Sequence, residues 1–205
     1  MVNKRLLSWR WGLMVSTVVL LAIVTLLTPA DQVLGGRVRI VYLHGAWVWA
    51  GIVCFATAAI SGLMSMIWQP RVWEDWSKVL GWTGLFFWWT YLPMSLVVMQ
   101  VNWGGVYLDE PRFRIPLGFG VAGVLLQAGL HLINLPRLTS AANLAFGLSL
   151  VIALGFTRNV LHPDSPVTQS GSIAIQIGFA GLSILVFLLA AQIAVWLFRR
   201  FASSE

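Results

Sequence analysis

Six long apolar stretches, at 11–28, 44–67, 79–101, 115–135, 141–161 and 173–198, fill most of this 205-residue chain. A bilayer core takes about 20 apolar residues per helical crossing, so each stretch is long enough to span. The breaks between them carry helix-ending and turn-forming residues: Thr28-Pro29, Gln69-Pro70, Asp109-Glu110-Pro111, Leu135-Pro136 and His162-Pro163. Charged residues make up 10% of the chain, far below the roughly 25% of soluble domains. The expected fold is an all-α integral membrane protein with six transmembrane helices in one bundle. Residues 1–205 then form a single polytopic membrane domain, with no length left for a soluble catalytic module.

Several function classes drop out at once. The single cysteine, Cys54, lies mid-span, and there is no CxxC or CxxCH motif. This excludes a thiol oxidoreductase and a covalently haem-bearing cytochrome c. The net charge of +6 is spread in ones and twos between the spans, so it does not form a patch for nucleic acid. There is no Walker loop, no HExxH and no Ser-His-Asp arrangement. Ionisable residues are nearly absent from the spans, which weighs against a proton relay or a small-molecule permease. Gln127, His131 and Gln192 are the polar exceptions, and an interhelical hydrogen bond accounts for each equally well.

Lys4, Arg5 and Arg10 precede the first apolar stretch, as in a signal peptide. That stretch is long for a signal h-region and no clear A-x-A site follows, so it reads as a transmembrane helix. Orientation follows from the loop cations. With a cytoplasmic N-terminus, Lys4, Arg5, Arg10, Arg71, Lys78, Arg137, Arg199 and Arg200 lie inside, and Arg37, Arg39, Arg112, Arg114 and Arg158 lie outside. The inner side has the excess, so both termini are expected in the cytoplasm. The polar chemistry then collects outside, where Asp31, Asp109, Glu110 and Asp164 also fall.

The three histidines divide by depth. His44 opens the second stretch and His162 closes the fifth, so both are expected at the outer surface. His131 lies near the inner surface, about 24 Å from Ile115 at the helical rise, and cannot share a ligand with the other two. A single histidine at a membrane surface is more often an anchor or packing residue than a ligand. Two on one side, bracketing an aromatic loop, suit a non-covalent haem b held from above and below. On a helix, Trp47, Val48 and Gly51 would share the face of His44, with the glycine letting a flat macrocycle approach. The outward arginines match propionates in kind, although interfacial anchoring explains most of them.

The loop Trp103-Gly104-Gly105-Val106-Tyr107-Leu108-Asp109-Glu110-Pro111-Arg112 resembles the haem-handling signature WGxxWxWDxR of cytochrome c maturation proteins of the CcmC and CcsA type. Trp103, Gly104 and Arg112 match, and Tyr107 replaces the second Trp. Asp109 stands where the third Trp would be, and Glu110 where the Asp would be. An unpaired carboxylate against a buried macrocycle would be costly, so Asp109 must face water or the platform must be reshaped. The run Arg39-Ile40-Val41-Tyr42-Leu43-His44 with Ala46-Trp47 is similar to the family's region around its first haem-ligand histidine, and His162-Pro163 to that around its second.

The resemblance implies a non-enzymatic haem carrier of cytochrome c biogenesis. His44 and His162 would be the axial ligands. Trp103, Gly104 and Tyr107 would form the platform, with Arg112 orienting the loop or the propionates. The partners would be haem and other maturation subunits. The competing expectation is a non-catalytic membrane subunit of a respiratory or photosynthetic redox complex, with or without a haem b.

Overall fold

A computed structural model describes residues 4–32, 34–157, 167 and 170–202. The chain is an all-α bundle of six long apolar helices, each able to cross a membrane. In chain order these are α1 (Lys4–Leu27), α2 (Val38–Trp68), α3 (Arg71–Trp103), α4 (Pro111–Ile133), α5 (Pro136–Phe156) and α6 (Ile173–Ala202). The chain is therefore a multi-pass membrane protein.

α1, α2, α3 and α6 exceed the apolar stretches of the sequence, whereas α4 and α5 begin earlier than expected and stop short, at Ile133 and Phe156. At 33 residues, α3 is about 50 Å long at the helical rise, against a hydrocarbon core of about 30 Å. Its first two turns, from Arg71 to Lys78, stand outside the apolar run. α2 starts at Val38 rather than at His44, which carries His44 about 9 Å into the helix. Hydropathy misses these turns because a helix continues into the interface once nucleated, whatever its polarity. Pro111 and Pro136 occupy the first turns of α4 and α5, where a missing N–H costs nothing.

The helix ends use left-handed residues. α2 closes on Gln69 (φ 61°), whose N–H returns to the Ser65 carbonyl, and Pro70 prevents continuation. α4 closes in the same way on Asn134 (φ 51°), with its N–H on the Leu130 carbonyl. α3 ends on Gly104 at φ 72°, a conformation that costs glycine little.

α2 and α3 pair along their length at the centre. α5 lies against α2, α4 lies against α3 and α5, and α6 lies against α2 and α3 while carrying α1 on its other side. Small residues bring these backbones together, as expected where lipid supplies no hydrophobic drive. A Cβ on Gly62 would run into the Ser140 carbonyl, and one on Gly147 would lie 2.9 Å from the Phe55 carbonyl oxygen. Two buried clusters result. One, around Tyr42, Ala46, Leu182 and Val186, joins α2 to α6. The other, around Phe55, Trp88, Tyr91, Phe113 and Leu150, joins α2, α3, α4 and α5.

Most hydroxyls within the spans bond a carbonyl one turn back in their own helix, while Gln127, Asn143, Gln192 and Ser77 make bonds between helices. Gln127 donates to the Asn143 side-chain oxygen at 2.6 Å. Asn143 donates to the Ser77 carbonyl at 2.9 Å, and the Ser77 hydroxyl donates to the Ala58 carbonyl at 3.0 Å. Gln192 donates to the Thr17 hydroxyl at 3.0 Å. Tryptophan does similar work: Trp47 donates to the Thr90 hydroxyl, Trp88 to the Pro116 carbonyl and Trp89 to the Gly120 carbonyl. The high tryptophan content thus serves packing as well as the interfacial belts.

Candidate functional site

A cleft of about 250 Å³ opens at the end of the bundle away from the termini, above the second buried cluster. Four helices build it, each through one stripe. α2 contributes His44, Val48 and Ile52, spaced four apart. α3 contributes Trp88, Tyr91, Ser95 and Met99, and its last residue, Trp103. α4 supplies Arg112 and Pro116 from its first turns, and Leu154 closes the α5 side. The spacing of three and four on a helix sets these side chains in rows facing one space.

The aromatic wall is fixed. Trp88 has no exposed surface, and its indole donates to the Pro116 carbonyl at 2.9 Å. Its ring meets Tyr91 edge-on at 4.9 Å and Phe55 at 5.7 Å. The His44 ring lies 5.7 Å from that of Tyr91, tilted by 58°. Nδ1 of His44 is shut off from solvent.

Glu110 is 3% exposed and lines the same cleft. It is the residue before α4, and its carbonyl accepts the N–H groups of Phe113 and Arg114. A carboxylate at a helix N-terminus is favoured by the helix dipole. Asp109, one residue earlier, points away: its side chain is fully exposed, 3.9 Å from the Arg114 guanidinium. Of the two alternatives open for Asp109, it faces water. The acid of the cleft is Glu110, which the sequence pattern does not single out.

The expected site residues separate into three groups. His44, Trp103 and Arg112 share the cleft. Gly104 caps α3, and Tyr107 stands 42% exposed with its ring 6.2 Å from that of Trp103. Trp47 and Gly51 do not line the cleft. Trp47 packs on Phe87 at 4.9 Å while bonding Thr90, and a Cβ on Gly51 would lie 3.1 Å from the Trp88 ring. The face expected around His44 is divided: the i+4 and i+8 positions look into the cleft, and the i+3 and i+7 positions are taken by α3. His162 and Arg158 lie outside the described residues. His131 is in the last turn of α4, at the opposite end.

The described arginines at this end of the bundle have separate tasks. Arg39 donates from Nε to the Thr28 carbonyl at 2.9 Å, tying the end of α1 to the start of α2. Arg114 stands beside Asp109, and Arg37 lines a separate hollow with Asn102. Arg112 is the arginine of the cleft.

Chemically, the described residues of the cleft offer one imidazole, one guanidinium, one carboxyl group and flat apolar walls. Among the described residues no three His, Cys, Asp or Glu side chains converge as a cage for a bare metal ion. The donor set suits a flat, largely apolar ligand that carries acidic groups and takes one nitrogen ligand. The sequence matches no protein-family model and none of the curated proteins with which it was compared.

Proposed function

We propose that this cleft binds haem b non-covalently and that the chain handles haem during cytochrome c biogenesis, as the resemblance to CcmC-type proteins implies. The observation that carries the reading is the convergence of His44, Trp103 and Arg112, from three different helices, on one aromatic-walled cleft. A bound haem would supply a redox-active iron and a flat apolar face.

The chain's own residues would do the holding. His44 would offer a ring nitrogen to the iron, with its orientation limited by the Tyr91 ring beside it. Trp88, Tyr91 and Trp103 would give the macrocycle dry, rigid surfaces and exclude water. The Arg112 fork would take a propionate. Glu110 would stand at the same rim as Arg112. In this reading His162 would be the second residue to hold the iron. Haem b would be held here by reversible contacts, which would suit a component that passes it on. The donor and acceptor would be other maturation subunits, meeting the cleft at the outer face of a bacterial-type inner membrane, with both termini cytoplasmic.

The test is an absorption spectrum of the detergent-purified protein, oxidised and reduced, with pyridine haemochrome analysis. The expected result is a b-type spectrum that is lost in His44→Ala and in His162→Ala, with both variants eluting as the wild type does in size-exclusion chromatography. Wild-type haem content in the variant lacking both histidines would overturn the assignment.

A further inference from the structure

A second concave site lies at the opposite end of the bundle, where the N-terminal part of α1 meets the C-terminal part of α6. It is a groove of about 360 Å³. Leu13, Met14 and Val195 form its apolar portion, and Arg10 and Arg199 stand at it. Among the described residues no carboxylate lines it. Two guanidinium groups therefore face a groove whose described wall holds no protein anion.

Trp196 adds the second observation. Its ring lines the groove and is held edge-on against Trp11 at 5.9 Å, with the Arg200 guanidinium 5.6 Å above it. Its Nε1 is buried, yet has no hydrogen-bond partner among the described residues. A buried indole N–H without an acceptor is rare in a settled structure. Arg199 follows Trp196 by three residues on the same helix, so donor and cation lie on one side of α6, within one turn. The layout is cations at the membrane surface, an unused donor just below them, and an apolar slot below that.

We infer that this groove is a binding site for an anionic phospholipid. The phosphodiester would sit between Arg10 and Arg199, an ester or phosphate oxygen would accept the Trp196 N–H, and the acyl chains would run down the slot between α1 and α6. Basic hollows between transmembrane helices are suited to anionic head groups, and arginine forks match phosphate geometry. The inference does not depend on the haem reading, because the two sites share no residue.

The test uses full-length protein in neutral detergent micelles, titrated with phosphatidylglycerol or phosphatidylcholine, with thermal unfolding as the readout. Bound lipid is also extracted and quantified after size exclusion. Phosphatidylglycerol should raise the Tm and co-purify, and phosphatidylcholine should do neither. In Arg10→Gln/Arg199→Gln, the phosphatidylglycerol midpoint should rise at least tenfold, with little change in the lipid-free Tm. Arg10→Lys/Arg199→Lys should keep part of the response, and Trp196→Phe should weaken it while retaining the ring packing. Equal responses to the two lipids would overturn the inference, as would an unaltered response in the double Gln variant. Equal stabilisation by inorganic phosphate alone would also overturn it, in favour of a simple anion site. Stabilisation by a short-chain quinone that persists in the double Gln variant, with none by phosphatidylglycerol, would replace the lipid with a neutral ligand.

Discussion

The indole N–H of Trp88 reaches across from α3 to donate to the carbonyl oxygen of Pro116 in α4, at 2.9 Å. One side chain thereby forms the back wall of the cleft and joins two spans. Trp88→Phe keeps most of the ring packing and loses the bond, so it should cost about 1 kcal/mol. Trp88→Ala should cost about 3–5 kcal/mol through the cavity it leaves. Reversible denaturant unfolding in micelles measures both. Equal losses in the two variants would mean that the hydrogen bond, and not the ring volume, holds the wall.

Adjacent acids should behave differently. Asp109→Asn removes a fully exposed charge whose nearest cation is 3.9 Å away, so stability should change by no more than about 0.5 kcal/mol. Haem affinity should be unaltered. Arg112→Gln should weaken haem binding by roughly tenfold to a hundredfold, the worth of a charge-assisted bond of about 1.5–3 kcal/mol. Haem titration of the apoprotein separates the two outcomes.

Glycine tolerance should follow the gaps between helices. Gly62→Ala and Gly147→Ala push a methyl group against backbone carbonyls, and each should destabilise by about 1–3 kcal/mol. Gly118 and Gly129 in α4 have nothing within 4 Å of an added Cβ. Alanine at those two positions should be neutral, or stabilising by up to about 1 kcal/mol, from helix propensity. Thermal unfolding of the four single variants checks the ranking.

The Gln127–Asn143–Ser77 chain should respond as a unit. Asn143→Ala orphans a donor on Gln127 and an acceptor on Ser77, for a loss of about 1–3 kcal/mol. Gln127→Leu should lose less, since intramembrane bonds average about 0.6 kcal/mol. The double variant should lose less than the sum of the two, because both singles break the same bond. An additive cycle would show that Gln127 and Asn143 act independently.

The six spans were legible because a run of apolar residues long enough to cross a bilayer has few other uses. Their ends were not, since the polar turns from Arg71 to Lys78 and the leading prolines of α4 and α5 carry no hydropathy signal. The site was legible in part. His44 could be picked by residue type and placement, and Trp103 and Arg112 through the resemblance of their loop to the haem-handling signature. The roles of Trp47 and Gly51 depend on which flank of α2 meets α3, and a helix apolar on several sides does not announce its neighbours. The stripe from Trp88 through Tyr91 to Ser95 and Met99 has helical spacing, but most of α3 is equally apolar. Whether Asp109 or Glu110 enters the cleft is set by the turn after Gly104, a matter of backbone direction that residue type does not encode.

The least buried of the six helices is α1, and most of its contacts go to α6. Thr17 pairs with Gln192, Trp11 packs on Trp196, and Thr28 fills the space beside Gly178. α1 precedes its main neighbour α6 in the chain by four intervening helices. During synthesis α1 therefore stays in the bilayer largely on its own hydrophobicity while α2 to α5 are made, and it gains its seat on α6 only after them. A chain interrupted after α5 would hold the cleft-forming helices together and leave α1 adrift.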